Sequence, residues 1–473
     1  MIADLKPYAD YQDSGPSWLG EVPAHWQIVR SKRLFTARKE LARPDDVQLS
    51  ATQAYGVIAQ SLYEERTGYR VVKISMHLDK RRHVERDDFI ISMRSFQGGL
   101  ERAWSTGAIR SSYVVLKPEG QVDAAYFKHL FKSVPYIAAL RATGDFIRDG
   151  QDLNYTNFCG VDLPLVPLPE QAAIGRFLDW ANGQLDRTIR AKRKTIALLA
   201  EQMQSITQQA VSCGTDSTVQ LRPSGIQLFG EIPQHWEVRP LKAVSVIQSG
   251  VTLGKDYGSQ QTREFPYLRV ANVQAGFVNL SVVKKIRVPI AEARRSTVAV
   301  GDVLMTEGGD PDKLGRGCVW DGQVSPCLHQ NHVFAVRPDQ QRLEPRFLSA
   351  FMGTNSARAY FQSTAKQTTN LASTNKTKIG RLQVPLPPID EQRAILEAVA
   401  ARTQPASAAI ARLETEIKLL REYRIRLVAE IVTGKLDVRD AAARLPDVLP
   451  ADLSEDSGDN GGEAELADEE AEA

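Results

Sequence analysis

"SGPSWLGEVPAHW", Ser14–Trp26, recurs as "SGIQLFGEIPQHW", Ser224–Trp236, at an offset of 210 residues. Seven of the thirteen positions are identical: Ser, Gly, Gly, Glu, Pro, His and Trp. The segment is too polar for an export signal. A chain that carries it twice invites comparison of its two halves.

The second half follows the first well beyond this segment. "RDDFIISMRS" (Arg86–Ser95) corresponds to "VGDVLMTEGG" (Val300–Gly309), and "SSYVVLKP" (Ser111–Pro118) to "NHVFAVRP" (Asn331–Pro338). "YFKHLFKS" (Tyr126–Ser133) corresponds to "RFLSAFMG" (Arg346–Gly353), and "PLVPLPEQAAI" (Pro164–Ile174) to "PLPPIDEQRAI" (Pro385–Ile395). The offset rises from 210 to 221, so the second copy carries about eleven extra residues in its globular part. So long a period marks a duplicated domain pair, not a solenoid.

Each copy has two parts. The first holds short β-rich runs broken by Gly, Pro, Asn and Asp. The second opens at the Pro-Glu-Gln motif. Pro169 suits a first helical turn, where its missing N–H would be unpaired anyway. Glu170, and Asp390 with Glu391, favour the positive end of the helix dipole. A heptad stripe follows in both copies. Its first seam is Leu185, Ile189, Lys192, Ile196, Leu199, Met203, Ile206 and Ala210. Its second is Ala406, Ile410, Leu413, Ile417, Leu420, Arg424, Leu427 and Ile431. Steps of four and three alternate, the pattern of a coiled-coil stripe. Lys192 and Arg424 are polar interruptions suited to setting register. Gly214 and Gly434 stand where helix C-caps fall. Each helix is expected to run about 40 residues, or about 60 Å. The two stripes can be buried against each other or each on its own globular part. Equal length and matching seams favour the first. A two-fold relation between the copies would make the helices antiparallel.

The net charge of +2 conceals an imbalance. Asp447–Ala473 holds eleven acidic residues and no Lys or Arg, which leaves residues 1–446 at +13. The tail, poor in large apolar groups, is expected to be disordered. The basic remainder suits a polyanionic partner. No apolar run is long enough to span a membrane. The four cysteines, Cys159, Cys213, Cys318 and Cys327, form no CxxC pair, which suits a reduced, cytoplasmic protein.

No catalytic site emerges. "GVTLGKD" (Gly250–Asp256) has one residue too few between its glycines for a phosphate loop, and Asp256 replaces the magnesium-binding hydroxyl. "PDQQRLEPR" (Pro338–Arg346) is too cramped for a nuclease carboxylate motif and has Arg346 in place of the Lys. Cys318, Cys327, His329 and His332 gather soft ligands, but their spacing matches no standard zinc module and the first copy lacks them. No metal site is therefore assigned. His25 and His235 read as structural neighbours of the anchors Trp26 and Trp236, since no nucleophile recurs with them. What remains is binding. Basic and aromatic residues mix in "RTGYRVVK" (Arg66–Lys73), "MRSFQGG" (Met93–Gly99), "KDYGSQQTREFPYLRV" (Lys255–Val270) and "DKLGRG" (Asp312–Gly317). Arg reads guanine bidentately and neutralises phosphate. Arg70, Arg94, Arg269 and Arg316 are the candidate DNA contacts.

Taken together, "WLGEVPAHW" and "LFGEIPQHW", "PLPEQ" and "PPIDEQ", and the helix end "EIVTGKLDVR" (Glu430–Arg439) resemble the specificity subunit of type I restriction–modification systems, over residues 14 to 440. The resemblance implies an α+β fold of two duplicated α/β target-recognition domains, each followed by a long helix. The helices would pair as an antiparallel coiled coil with pseudo-two-fold symmetry. It implies recognition domains at residues 1–165 and 216–385 and spacer helices at 166–215 and 386–437; the acidic tail, residues 438–473, is a departure from the family's pattern. It implies a non-catalytic subunit that binds double-stranded DNA at a bipartite site, one half per domain. Two methyltransferase subunits and motor-nuclease subunits would join it. The cofactors S-adenosylmethionine, ATP and Mg2+ would belong to those partners, with none in this subunit. The repeated frames with divergent interiors, Ser31–Glu85 against Leu241–Ala299, imply an asymmetric site, since identical readers would read a palindrome. A protein–protein scaffold with two paralogous binding domains is the alternative.

Overall fold

The computed structural model describes residues 5–71, 80–92, 94–144, 153–226, 229–309, 314–315, 317–367 and 372–446. The acidic run from Asp447, and with it the expected disorder, lies outside the described residues. The fold is mixed α and β with two long helices, Leu168–Cys213 and Ile389–Val432. They run 46 and 44 residues, somewhat longer than the heptad stripes alone indicate. Gly214 and Gly434 follow their ends with φ of 74° and 75°. Among the described residues no helix is long and apolar enough to cross a membrane.

The chain divides into two compact units, and the division falls inside both helices. One unit comprises Met1–Arg193 with Glu414–Ala473, and the other Lys194–Leu413. In the first unit Asp186 pairs with Arg424 and Lys192 with Glu416, so numbers rise along one helix as they fall along the other. Both polar interruptions of the stripe are thus answered by an acid. In the second unit Ser407 lies against Met203, and Ala210 and Val211 share a core with Ile395. Seam positions are buried or half-buried throughout. Leu185, Ile189, Ile417, Leu427 and Ile431 are buried, and Ile196, Leu199, Met203, Ile206, Ile410, Leu413 and Leu420 are half-buried.

Each unit contains a four-stranded antiparallel sheet of one strand order. In the first unit the strands are Phe35–Ala37, Val114–Pro118, Phe89–Ile91 and Glu101–Arg102. In the second they are Ser245–Ser249, Val333–Pro338, Val303–Thr306 and Gly317–Val319. The central apolar runs, Phe89–Ile91 and Val303–Met305, are buried on both faces. The aspartate before each run closes a turn and holds an arginine. Asp88 accepts from Glu85 N at 2.8 Å and takes Arg38 bidentately at 2.8 and 3.1 Å. Asp302 accepts from Ala299 N at 2.8 Å and takes Arg337 at 2.7 Å through both nitrogens. Arg38 follows the strand Phe35–Ala37, whereas Arg337 lies within Val333–Pro338, the counterpart of Val114–Pro118. The buried acid recurs while its partner does not.

The ends of each β-rich part meet. Gln27–Arg30 pairs antiparallel with Asp162–Leu165, and Glu237–Pro240 with Gln383–Leu386. This pairing brings the His-Trp dipeptide to the N-terminus of a long helix. Glu170 Oε1 accepts from Trp26 Nε1 at 3.0 Å and from Tyr8 Oη at 2.7 Å, and its Oε2 meets His25 Nε2 at 2.7 Å. Glu391 repeats the pattern with Trp236 Nε1 at 3.0 Å and His235 Nε2 at 2.8 Å. The neighbouring glutamine works equally hard. Gln171 accepts from Asp123 N and donates to Val166 O and Gln121 O, at 2.7–2.9 Å. Gln392 does the same with Glu344 N, Pro387 O and Arg342 O, each at 2.8 Å. The rest of the repeated segment builds a hairpin that presents the Trp. Ser14 N bonds Gly20 O, as Ser224 N bonds Gly230 O, and Trp26 N bonds Pro23 O, as Trp236 N bonds Pro233 O. Even the carbonyl of each Trp is held, by Gln12 in one unit and Arg222 in the other.

The two clasps differ in depth. Glu170 is 5% exposed, and burial raises the pKa of its third partner, the Tyr8 phenol, so that it remains a donor. Glu391 is 30% exposed, and Thr218 stands at the position equivalent to Tyr8. Glu170→Ala therefore strands two buried donors, Trp26 Nε1 and Tyr8 Oη, at about 1–3 kcal/mol each. It is expected to destabilise the protein by about 2–6 kcal/mol, and Glu391→Ala by roughly half that or less. Urea unfolding of both variants checks the order, and equal losses would show that the deeper burial contributes nothing.

Candidate nucleic-acid interface

The second unit concentrates positive charge on one stretch of backbone. Between Tyr257 and Val300 there are seven basic residues and two acidic ones. This stretch folds into the antiparallel ribbon Thr262–Leu268 with Lys284–Pro289, followed by the short helix Ile290–Ser296. The ribbon's register puts Phe265 opposite Ile286 and Tyr267 opposite Lys284, and these apolar side chains pack with Val288, Ala293 and Leu328. The other face holds Glu264 opposite Arg287, and Pro266 opposite Lys285. Arg263, Lys284, Lys285, Arg287, Arg294 and Arg295 are all exposed. Both acids are engaged locally, Glu264 by Lys285 at 3.1 Å and Glu292 by Lys255 at 2.9 Å. Lys284–Pro289 is the edge strand of its three-stranded sheet. Charges on an edge also deter strand pairing with other chains. An exposed cationic two-stranded ribbon nevertheless has the width and the sign of charge that a DNA groove admits.

The four arginines selected from sequence are distributed as follows. Arg70 is exposed, beside Tyr69, just past the helix Gln60–Thr67. Arg94 is half-buried and precedes the short helix Ser95–Gly98. Arg269 ends a ribbon strand, half-buried, with its main-chain N–H held by Asn272 Oδ1 at 2.9 Å. Its Nε is buried without a hydrogen-bond partner among the described residues. Arg316 lies outside the described residues. The ribbon residues Arg263, Lys284, Lys285 and Arg287 were not singled out by motif. The signal available in the sequence was the charge window, seven basic to two acidic, and not any short pattern.

Segments with a rejected chemistry have ordinary structural roles. Gly250, from the false phosphate loop, lies where a Cβ would come within 2.0 Å of His329 O, at the bridge from Val251 to Gln330. Only glycine permits that approach. Cys318 and Cys327 are buried, and desolvation pushes both thiols up to about 11. His329 is buried, with Nδ1 donating to Val333 O at 2.6 Å, and His332 pairs with Glu307. Among the described residues no three His, Cys, Asp or Glu side chains form a metal-binding group. His25 and His235 are committed to the two clasps.

The fold and this surface define a mixed α/β protein with two β-rich units on long helices and a cationic face on at least the second. The family model for the type I restriction modification DNA specificity domain matches residues 233–419. The chain is 26% identical over 288 residues to the type I restriction enzyme StySPI specificity subunit of Salmonella potsdam, covering 60% of this chain and 59% of that protein. It is 24% identical over 292 residues to the EcoKI specificity subunit of Escherichia coli K12, covering 60% of each. The matches thus span about three fifths of the length of these curated relatives. A solved chain, described under complex assembly and conformational transition of the type I R-M system, shares the fold. Its TM-score is 0.57 at 16% identity, over 87% of this chain and 98% of that one. The resemblance carried by the repeated motifs is matched by these comparisons: this chain is similar to the specificity subunits of type I restriction–modification systems.

If the ribbon lies along DNA phosphates, Lys285→Ala with Arg287→Ala is expected to weaken binding to all duplexes alike. The slope of log Kobs against log salt should fall by about 2, at about 0.9 per phosphate contact. Fluorescence anisotropy across a salt series measures this. An unchanged slope would leave these charges with edge protection alone.

Proposed function

We propose that the chain is the sequence-reading, non-catalytic subunit of a cytoplasmic type I restriction–modification assembly. In this reading residues 1–165 and 216–385 are two target-recognition domains. Each reads one half of an asymmetric, bipartite site in double-stranded DNA. Residues 166–215 and 386–437 are spacer helices that pair as an antiparallel coiled coil with pseudo-two-fold symmetry. Of the tail drawn at 438–473, Val438, Ala441, Ala442 and Leu445 pack into the first unit's core around the helix Arg439–Ala443, so the acidic tail begins at Asp447. Two methyltransferase subunits, and for cleavage motor-nuclease subunits, supply the chemistry with S-adenosylmethionine, ATP and Mg2+.

The observation that carries the reading is one clasp built twice around two sheets of one strand order, one of them within the matched specificity domain. The clasp residues recur almost unchanged, whereas the Arg38 and Arg337 locks and the outer loops diverge. A duplicated frame with divergent surfaces suits two readers of different half-sites. The helix contacts support a fixed pairing. Asp186–Arg424 is related by the 221-residue offset to Ser407–Met203, charged in one unit and neutral in the other. A helix facing a second copy of itself would set Asp186 against Met203, an unpaired charge at a half-buried position. Pairing unlike helices satisfies the charge.

Methyl transfer to DNA is expected only when a methyltransferase subunit is added to the purified chain, and transfer by the chain alone would overturn the assignment. The spacer is tested by adding one heptad after Leu199 and another after Leu420, which keeps the stripe in phase. Each helix lengthens by roughly 10 Å, or about three base pairs of B-DNA at 3.4 Å each. Selection from duplexes with randomised spacers should shift by that amount. Intact binding with an unchanged spacer would favour a protein–protein scaffold over a DNA ruler.

A further inference from the structure

Among the described residues three aromatic side chains are strongly exposed: Tyr69 at 63%, Phe277 at 59% and Tyr423 at 42%. Tyr423 is on the second long helix. The other two fall one in each β-rich part, and both stand on pinned turns, Tyr69 next to Arg70 and Phe277 on the loop that leads into the strand carrying Lys284, Lys285 and Arg287. Exposed aromatic rings are costly to leave in water, and a rigid turn does not let them fold back to cover themselves.

Phe277 tips a small hairpin. Val273 bridges Val278, Asn279 N bonds Asn272 O at 2.8 Å, and Gln274 N bonds Phe277 O at 3.0 Å. Gly276, at φ 82°, forms the bend and its N–H bonds Gly317 O at 3.2 Å. Asn272, 3% exposed, is the knot beneath. Its Nδ2 donates to Asn279 O at 2.8 Å and Val282 O at 3.0 Å, and its Oδ1 accepts from Arg269 N. The same loop exposes Val282 at 59% and Val270 at 36%. Lys284, Lys285 and Arg287 follow directly on the ribbon. The tip is therefore apolar at its centre and cationic at its base.

Tyr69 is held by different means to a similar end. The helix Gln60–Thr67 ends at Gly68, whose N–H bonds Glu64 O at 2.9 Å. Tyr69 N bonds Thr67 Oγ1 at 3.2 Å, and Val71 N bonds Glu64 Oε1 at 2.9 Å. Arg70 is exposed next to it. The two turns share neither sequence nor position in the repeat. The frames do not require them, so the recurrence of an exposed ring on a turn near basic residues is independent in each half.

We propose that Tyr69 and Phe277 are base-contacting residues that press their rings onto bases of double-stranded DNA, one in each half-site, while the adjacent cations hold the phosphates. Charge complementarity selects the partner: an apolar protein surface would not need the cationic base of the ribbon, and a bare polyanion would not need the ring. Rings held in advance lose little conformational freedom on binding. Apolar side chains meet thymine methyl groups in the major groove or wedge between base steps in the minor groove. Neither contact depends on salt as a phosphate contact does. The inference rests on the DNA-reading assignment, and the experiment separates the two.

The full-length chain is first used to select from a randomised 60-base-pair duplex library. Binding of the selected duplex is then measured over a salt series for the wild type, Phe277→Ala, Tyr69→Ala and the conservative Phe277→Tyr and Tyr69→Phe. Each alanine variant is expected to bind roughly tenfold or more weakly, with the salt slope unchanged and preference relaxed in one half-site only. The two variants should affect opposite halves, and the conservative variants should restore binding. Phe277→Trp should lose indole fluorescence when the duplex is added. Alanine variants with wild-type affinity and preference, or with a reduced salt slope and unchanged preference, would overturn the inference. A wild-type chain that enriches no sequence would instead overturn the DNA-reading assignment itself.

Discussion

A carboxylate at the start of each long helix, buried in the first unit and half-buried in the second, is the group around which each unit is closed. Glu170 stands at the start of a 46-residue helix, out of water, where an unpaired charge would be severely penalised. It is tolerable only because an indole, an imidazole and a phenol converge on it. Those donors come from the N-terminal segment and from the hairpin that opens the β-rich part. The strand that follows the hairpin then pairs with the strand that precedes the helix. One satisfied acid thus fixes where the β-rich part begins, where it ends and how it is joined to its helix. Glu391 does the same in the second unit with two donors and more solvent.

This economy leaves most of each β-rich part unconstrained. The clasp, the glutamine bonds behind it and the strand order of the sheet are alike in the two units. Beyond them the units solve equivalent problems with different residues. The buried aspartate before the central strand takes Arg38 in one unit and Arg337 in the other, from non-equivalent positions. Trp26 O and Trp236 O are held by a glutamine and by an arginine. The cationic ribbon at Thr262–Pro289 grows from the part of the second unit that has no close match in the first. Surface can change there without disturbing the frame, which suits a protein whose two halves are proposed to read different sequences.

Much of this organisation was legible without coordinates. The repeat of thirteen residues, the Pro-Glu-Gln motifs and the two heptad stripes are local patterns, and local patterns survive in a linear string. They place the helices, the halves and the likeness to specificity subunits. The partnership between the His-Trp pair and the glutamate was also written there, because both recur at matching positions. Its meaning was not, since 144 residues separate Trp26 from Glu170 and the helix dipole alone is a sufficient reason for an acid at that place.

Surface geometry is where the sequence by itself falls short. Which of many arginines is exposed, half-buried or committed to an acid depends on strand register, and register is set by packing across the sheet. Arg337 and Arg287 are indistinguishable as letters, yet one is bound bidentately to a buried aspartate and the other faces solvent on an edge strand. Sequence alone determined the duplication, the helices and their matched seams, because these rest on periodicity and on residue identity. Tertiary structure alone decided the acid that joins each helix to its β-rich part, the separate pairings of Asp186 with Arg424 and Lys192 with Glu416, and the turns that hold Tyr69 and Phe277 in water. Those depend on groups far apart in the chain meeting at hydrogen-bond distance, which no local pattern encodes.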